Sequence, residues 1–253
     1  MINNYKIIQR IGGGTFGSVY RGINIETNEP VAIKVEQHTD VHLLKTEAKV
    51  LNYLKHVDHI PKLKWFGQVN DSYVLVMPLL GHSIEHVMSH VTIKPPEIYK
   101  IGIQMLEILQ AIHEMKIIHR DIKPSNMVYG LDDSICGLHL IDFGLSAPIS
   151  PLGQTHGCIG TPLFMSIHAH SKQTLCCRDD LESMIYVLIY IWMDTNVSWK
   201  NEKYGSEIVQ LKRNVCNDTR LSLVITEMLQ YAQGLEYDEI PDYDRWILRL
   251  MNS

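Results

Sequence analysis

Hydrophobic periodicity changes once along this chain, near residue 80, and that change limits what the chain can fold into. Before it, apolar residues come in short strand-like runs over 5–11, 18–23, 31–35, 63–67 and 73–77. Glu26-Thr27-Asn28-Glu29-Pro30 supplies turn chemistry between the second and third runs. One segment breaks the pattern: over 43–54, Leu43, Leu44, Glu47, Val50, Leu51 and Leu54 recur at helical spacing. From Ser83 onward the period is helical. Pro95-Pro96-Glu97 opens a long helix to about Met115, with Ile98, Ile101, Met105, Ile108, Leu109 and Ile112 on one face. Residues 181–193 are apolar on nearly all sides, which predicts a buried helix, and 221–233 and 243–251 read as two amphipathic helices. A strand-rich piece followed by a helix-rich piece, with no repeat and no low-complexity linker, predicts an α+β chain. The expected layout is a small β-rich N-lobe with one helix, about 1–77, a hinge at about 78–82, and a larger, mainly α-helical C-lobe, about 83–253, all in one domain.

Chemistry-bearing residues punctuate this layout. Gly12-Gly13-Gly14-Thr15-Phe16-Gly17-Ser18-Val19 fits G-x-G-x-x-G-x-V, in which glycines let a hairpin backbone lie against phosphates without side-chain clash. Alone it reads more readily as a glycine-rich turn, and strands rather than a helix follow it, which excludes a dinucleotide fold. Val31-Ala32-Ile33-Lys34 comes next; a lysine on a strand beneath the glycine loop can reach nucleotide phosphates. Glu47 lies on the apolar face of the 43–54 helix, where an unpaired carboxylate is costly. A Lys34–Glu47 pair resolves that cost.

Two further motifs decide the reading. Ile118-His119-Arg120-Asp121-Ile122-Lys123-Pro124-Ser125-Asn126 and, later, Asp142-Phe143-Gly144 resemble the protein-kinase catalytic loop and metal-binding motif. By that resemblance the fold is the bilobal protein-kinase fold, and the cofactors are ATP and Mg²⁺. Asp121 orients or accepts the proton of a substrate hydroxyl, Lys123 steadies the γ-phosphate, and Asn126 and Asp142 hold the metal. Phosphoryl transfer is mostly positioning and charge neutralisation, which is why it needs this set. Lys123, two residues after Asp121, together with Thr161 downstream, resembles serine/threonine rather than tyrosine kinases. A scaffold that had lost catalysis would lack Lys34, Asp121 or Asp142, and all three are present.

Within that superfamily the chain is similar to the casein kinase 1 family across nearly its whole length. The likeness rests on Val31-Ala32-Ile33-Lys34-Val35-Glu36, Glu47-Ala48-Lys49, Trp65-Phe66-Gly67 and Val74-Leu75-Val76-Met77-Pro78-Leu79-Leu80-Gly81. Arg178-Asp179-Asp180-Leu181-Glu182-Ser183 and Asp238-Glu239-Ile240-Pro241-Asp242-Tyr243 extend it. Ser166-Ile167-His168 stands where most kinases have Ala-Pro-Glu and this family has Ser-Ile-Asn, so the activation segment must be braced otherwise. Vaccinia-related and tau-tubulin kinases share parts of the pattern. The resemblance implies that Met77 is the gatekeeper, that adenine meets the Pro78 carbonyl and Leu80 N–H, and that Ile11, Val19, Ala32, Val128 and Ile141 sandwich it. It also implies that Asp180 braces the catalytic loop.

Three departures carry expectations. The family's arginine two residues after its Gly-Thr pair is Leu163 here, after Gly160-Thr161-Pro162, which predicts a weak or absent preference for already phosphorylated substrates; Lys203-Tyr204 keeps at most the other basic contribution. The 142–161 segment and the loop after Trp199 are shorter than in the family. The chain stops after its last helix, so the expectation is a constitutively active enzyme without an autoinhibitory tail. Ile185 also replaces a small residue usual in the buried helix.

Composition narrows the setting. Lys+Arg 23 against Asp+Glu 28 leaves a net charge of −5, which does not point to nucleic acid. The start lacks the apolar core of a signal peptide, and the run over 184–193 is too short to span a bilayer. Five cysteines, Cys136, Cys158, Cys176, Cys177 and Cys216, include no C-x-x-C pair and read as reduced thiols. The expectation is an intracellular monomer, cytoplasmic or nuclear, acting on protein serines and threonines, acidic sequences among them, with no membrane or nucleic-acid partner. His82, His86 and His90 read as a solvated helix face. His156, Cys158, His168, His170, Cys176 and Cys177 crowd the activation region, but their spacing fits no zinc-finger pattern. Ser146, Ser150 and Thr155 could accept phosphate near Arg120, although the family the chain resembles does not generally need such activation, and both alternatives stay open.

Overall fold

The structure, a computed structural model, describes residues 2–14, 17–36, 43–131, 137–153 and 158–253. Strands β1 (Tyr5–Gly14), β2 (Gly17–Asn24) and β3 (Pro30–Glu36) come first, then helix α1 (Leu43–Tyr53) and strands β4 (Trp65–Val69) and β5 (Ser72–Pro78). Helices α2 (Ile84–Met88) and α3 (Pro95–Glu114) follow, with the short strands β6 (Ile117–Ile118), β7 (Met127–Tyr129), β8 (Leu138–Leu140) and β9 (Ala147–Pro148). Helices α4 (Ile167–His170), α5 (Cys177–Trp192), α6 (Ser206–Asn214), α7 (Leu223–Gly234) and α8 (Tyr243–Met251) complete the chain. These elements divide into two compact units, Met1–His82 with Val128–Leu145, and Ser83–Met127 with Ser146–Ser253.

The first unit is a five-stranded antiparallel sheet in the order β1-β2-β3-β5-β4. Alternation along β3 sorts its two faces, because successive side chains point to opposite sides of a sheet. Val31 and Ile33 are fully buried in a cluster with Ile2, Tyr5, Val74 and Val76, and Val35 packs against it. Ala32 and Lys34 therefore lie on the other face, where Val19 and Leu75 stand opposite Lys34, and Met77 stands opposite Ala32. Glu47 of α1 comes to that second face. At Gly17 an added Cβ would lie 2.4 Å from the Val35 carbonyl oxygen, so β2 and β3 can approach only with glycine there.

Sequence reading places residues 128–145 in the C-lobe, yet they group with the first unit. Gly81 donates its N–H to the Tyr129 carbonyl at 2.8 Å, Tyr129 donates to His82 at 3.0 Å, and Leu140 donates to His59 at 3.1 Å. The turn Phe143–Leu145 also packs on α1. These bonds link residues far apart in sequence, which periodicity cannot register.

The second unit is built around α5, which is buried along nearly its whole length, with α3 and α7 packed against it and α8 against α3. The expected apolar face of α3 is buried at all six positions, Ile98, Ile101, Met105, Ile108, Leu109 and Ile112. α5 begins four residues earlier than its apolar run suggests, because Asp179 accepts the Cys176 N–H at 2.8 Å and caps a polar first turn. Helix α2, capped by Ser83, falls within the His82–His90 stretch read as a helix face, whereas helix α6 was not legible as a periodic segment. Among the described residues no helix is long and apolar enough to cross a membrane.

Ile185 sits fully buried in α5. Ile185→Ala should therefore lower unfolding stability by about 2–5 kcal/mol through lost burial and a residual cavity. Urea unfolding of the two proteins measures it; a loss below about 1 kcal/mol would show that the helix is loosely packed there.

Candidate active site

In the first unit, three charged side chains meet. Lys34 Nζ lies 2.6 Å from Glu47 Oε1 and 3.2 Å from Asp142 Oδ1. Glu47 is 2% exposed, Lys34 14% and Asp142 46%, so the cluster runs from the interior to the surface. Burial alone would lower the Lys34 pKa, but the two carboxylates outweigh it and hold the ammonium charged, above its ordinary value. Burial raises Glu47, and Lys34 opposes that rise. Asp142 adopts φ 69°, a conformation uncommon outside glycine, which turns its carboxylate toward Lys34.

The expected nucleotide-binding residues of this unit line up on its sheet. Gly12, Gly13 and Gly14 pair with Val19, Ser18 and Gly17, forming a hairpin. Thr15 and Phe16, also expected to meet ATP, lie outside the described residues. Val19, Ala32, Lys34 and Met77 share the face away from the apolar cluster. Ile11 is 48% exposed, Met77 and Val128 are buried, and Leu80 and Ile141 are partly exposed. Pro78 ends β5 opposite Val31, and its lack of an N–H costs this pairing nothing, because the bond at this end of the ladder runs from the Leu79 N–H to the Pro30 carbonyl at 3.4 Å.

In the second unit, Asp180 organises the loop that carries Asp121. Its Oδ2 accepts the His119 N–H at 2.6 Å, its Oδ1 accepts the Arg120 N–H at 2.8 Å, and His113 Nε2 lies 3.0 Å from Oδ2. Arg120 is held at φ 69° by this bonding. Burial would raise the Asp180 carboxyl, but His113 beside it holds it below the ordinary range. Burial likewise disfavours His113, and the Asp180 carboxylate reverses this, pushing the imidazole up to about 9. The other ring nitrogen of His113 hydrogen-bonds the Tyr243 hydroxyl.

The loop so held presents Asp121, Lys123, Asn126 and Thr161 together. Lys123 Nζ donates to Asp121 Oδ2 at 2.6 Å and to Thr161 Oγ1 at 3.3 Å, while the Thr161 hydroxyl donates to Asp121 Oδ1 at 2.7 Å. Asn126 Nδ2 donates to the Asp121 carbonyl at 2.9 Å and to Oδ2 at 3.3 Å. Thr161 reaches Asp121 because Gly160, at φ 109°, passes so close that an added Cβ would lie 2.5 Å from the Arg120 carbonyl oxygen. A carboxylate pinned by a lysine, an amide and a hydroxyl is suited to orienting one further hydroxyl for phosphoryl transfer.

Comparison with protein families matches the protein kinase domain over residues 5–233. The chain belongs to the protein kinase family. Phosphotransfer to protein is thus the activity of this fold, and the α+β architecture, an antiparallel sheet followed by helices, is the one the family uses.

The kinase braces the segment after Thr161 with buried polar groups whose roles there sequence reading did not assign. Lys212, fully buried on α6, donates to the Met165 carbonyl at 2.5 Å and the Pro162 carbonyl at 3.0 Å. Burial pulls its pKa down to about 7, against the pull of Glu182. Trp199 Nε1 donates to the Leu163 carbonyl at 2.9 Å. Ser166 caps α4 and donates to Asp179 Oδ1 at 2.5 Å, and Ile167 donates its N–H to Glu182 Oε1 at 3.2 Å. Ser146 is buried with its hydroxyl on the His119 carbonyl, the Ser150 carbonyl accepts the Tyr237 hydroxyl, and Thr155 and His156 lie outside the described residues.

His113 supplies a pH dependence with a definite sign. A pKa raised from 6.5 to about 9 means that the folded protein holds the proton more tightly than the unfolded chain. The stability this gives is fully present below pH 6.5 and disappears as pH rises through about 9. Urea midpoints of wild type and His113→Gln from pH 6 to 9.5 should converge with rising pH; a constant gap would mean that His113 is neutral in the fold.

Proposed function

We propose that this kinase is a serine/threonine protein kinase of the casein kinase 1 type, transferring the γ-phosphate of ATP to hydroxyls of protein substrates inside the cell. The observation that carries this reading is the Asp121–Lys123–Thr161 triangle, with edges of 2.6, 2.7 and 3.3 Å. A lysine there leaves the space beside Asp121 to a short aliphatic hydroxyl and supplies positive charge for a phosphate, as the serine/threonine pattern requires.

Asp121 would accept the acceptor hydroxyl's hydrogen bond and its proton as the oxygen attacks phosphorus, with Lys123 compensating the charge on the transferred group. Lys34, held by Glu47, would neutralise the α/β-phosphates. The hairpin glycines 12–14 and 17, with Ser18, would offer backbone to the phosphates, and the face carrying Val19, Ala32 and Met77 suits an adenine ring. Oxygen donors fit Mg²⁺: Asp142 is partly exposed, and the Asn126 amide nitrogen is taken by Asp121, which leaves its oxygen for a cation. When bound, the ion neutralises phosphate charge.

Leu163 supports a further point. It stands where the casein kinase 1 pattern has arginine, and its neighbours Trp199 and Lys212 are engaged with main-chain carbonyls. Substrate choice should then not depend on a phosphate three residues before the acceptor.

The test is transfer of radiolabelled phosphate from Mg-ATP to casein, followed by phosphoamino-acid analysis. Label is expected on serine and threonine, with turnover lowered about 10²–10⁴-fold in Asp121→Asn while the fold is retained. Label on tyrosine, or equal turnover in the variant, would overturn the assignment. A peptide with phosphoserine at the third position before the acceptor and one with aspartates there should react within about threefold of each other; a large preference for the phosphopeptide would return an anion site to this kinase.

A further inference from the structure

We propose that His168, Asp179 and Glu182 form a binding site for one divalent cation of zinc-like character, which ties the start of α4 to α5. One ligand atom from each residue lies within 4.8 Å of the others. His168 Nδ1 stands 3.7 Å from Asp179 Oδ1 and 4.0 Å from Glu182 Oε2. Bonds of about 2.0–2.1 Å in a tetrahedral zinc site put ligand atoms about 3.3 Å apart. To reach that spacing the His168–Asp179 edge would need to contract by about 0.4 Å, the His168–Glu182 edge by about 0.7 Å, and the carboxylate–carboxylate edge by at most about 1.5 Å.

A second, independent feature points to an occupant. Glu182 is 0% exposed, and its Oε2 has no hydrogen-bond partner among the described residues; His168 Nδ1 is buried and equally without one among them. At 4.0 Å these two atoms are too far apart to satisfy each other, and a buried unsatisfied carboxylate oxygen is costly. The other oxygen of each carboxylate is committed, and Asp179 Oδ1, which faces the imidazole, also accepts the Ser166 hydroxyl. Glu182 Oε1 accepts from Tyr186 Oη at 2.5 Å and from Ile167 N–H, and Asp179 accepts from Ser166 Oγ at 2.5 Å and from Cys176 N–H. These bonds orient the carboxylates as outer partners orient ligands in metal sites, and leave Glu182 Oε2 facing the imidazole.

Charge and donor type select the ion. Two carboxylates and a neutral imidazole balance a double positive charge. An imidazole ligand favours zinc and its neighbours over Mg²⁺ and Ca²⁺. The cations closest to the cluster do not fill it. Arg178 Nε is 4.0 Å from Asp179 Oδ2, and Lys212 is spent on the carbonyls of Pro162 and Met165. His168 keeps 16% exposure, enough for water to complete the coordination. The site is chemically distinct from the oxygen-only pair Asn126 and Asp142.

The experiment uses the full chain, stripped with a chelator and dialysed against zinc, beside His168→Asn. Elemental analysis should find one zinc per wild-type chain and none in the variant. At zinc a hundredfold above Kd the wild-type melting midpoint should rise by about 5–10 °C, the variant's should not move, and Mg²⁺ should move neither. Substitution with Co²⁺ should give visible absorption bands in wild type alone. Circular dichroism checks folding, and His168→Gln replaces the asparagine variant if that one does not fold. No zinc in wild type would overturn the proposal. So would equal zinc in the variant, which would assign the ion to surface histidines or thiols.

Discussion

A single buried carboxylate, Asp180, holds the backbone from which the chemistry of the second unit is presented. Its two oxygens take the N–H groups of His119 and Arg120, so Arg120 can stay at a positive φ that an arginine would not adopt in a free loop. Asp121 follows directly and receives its orientation from that constraint. The carboxylate remains ionised in the interior because His113 carries the compensating charge and is itself anchored to Tyr243 of α8. The first turn of α5, the end of α3 and the last helix therefore act on one loop.

The first unit solves a similar problem on a sheet. Lys34 must keep its charge on a mostly buried face, and Glu47 from α1 and Asp142 from the turn after β8 secure it. The cluster also explains why α1 and the 128–145 segment belong to the same unit as the sheet. In both units a charge is made useful by burying a partner that has no other role in the chemistry. Such pairs contribute orientation more than net stability, since desolvation offsets much of the attraction.

The segment after Thr161 relies on a denser set of polar contacts. Lys212, Trp199 and Glu182 take up main-chain groups from Pro162 to Ile167, Asp179 accepts the Ser166 hydroxyl, and Gly160 lets that segment reach the catalytic loop. Little of this was legible beforehand. Lys212 looks like one more surface lysine on an amphipathic helix, and Glu182 is hidden within the polar opening of an otherwise apolar run. His168 was visible as a departure from Ala-Pro-Glu, but it drew attention to neighbouring cysteines rather than to the carboxylates one turn into α5. Burial of a charged residue depends on what packs over it, and that information is not local in sequence.

The sequence by itself determined the element types and the chemical inventory. Alternation in Val31-Ala32-Ile33-Lys34-Val35 set which face Lys34 occupies, helical spacing set α1, α3 and α8, and motif spacing supplied Asp121, Lys123, Asn126 and Asp142. These are short-range properties, governed by backbone period and side-chain type over a few residues. Only the tertiary structure decided that 128–145 joins the sheet, that His113 becomes the charged partner of Asp180, and that Lys212 and Glu182 are buried, with His168 half-buried, around one segment. Each of those outcomes depends on desolvation and on partners dozens of residues away, so it arises only when the chain has closed on itself.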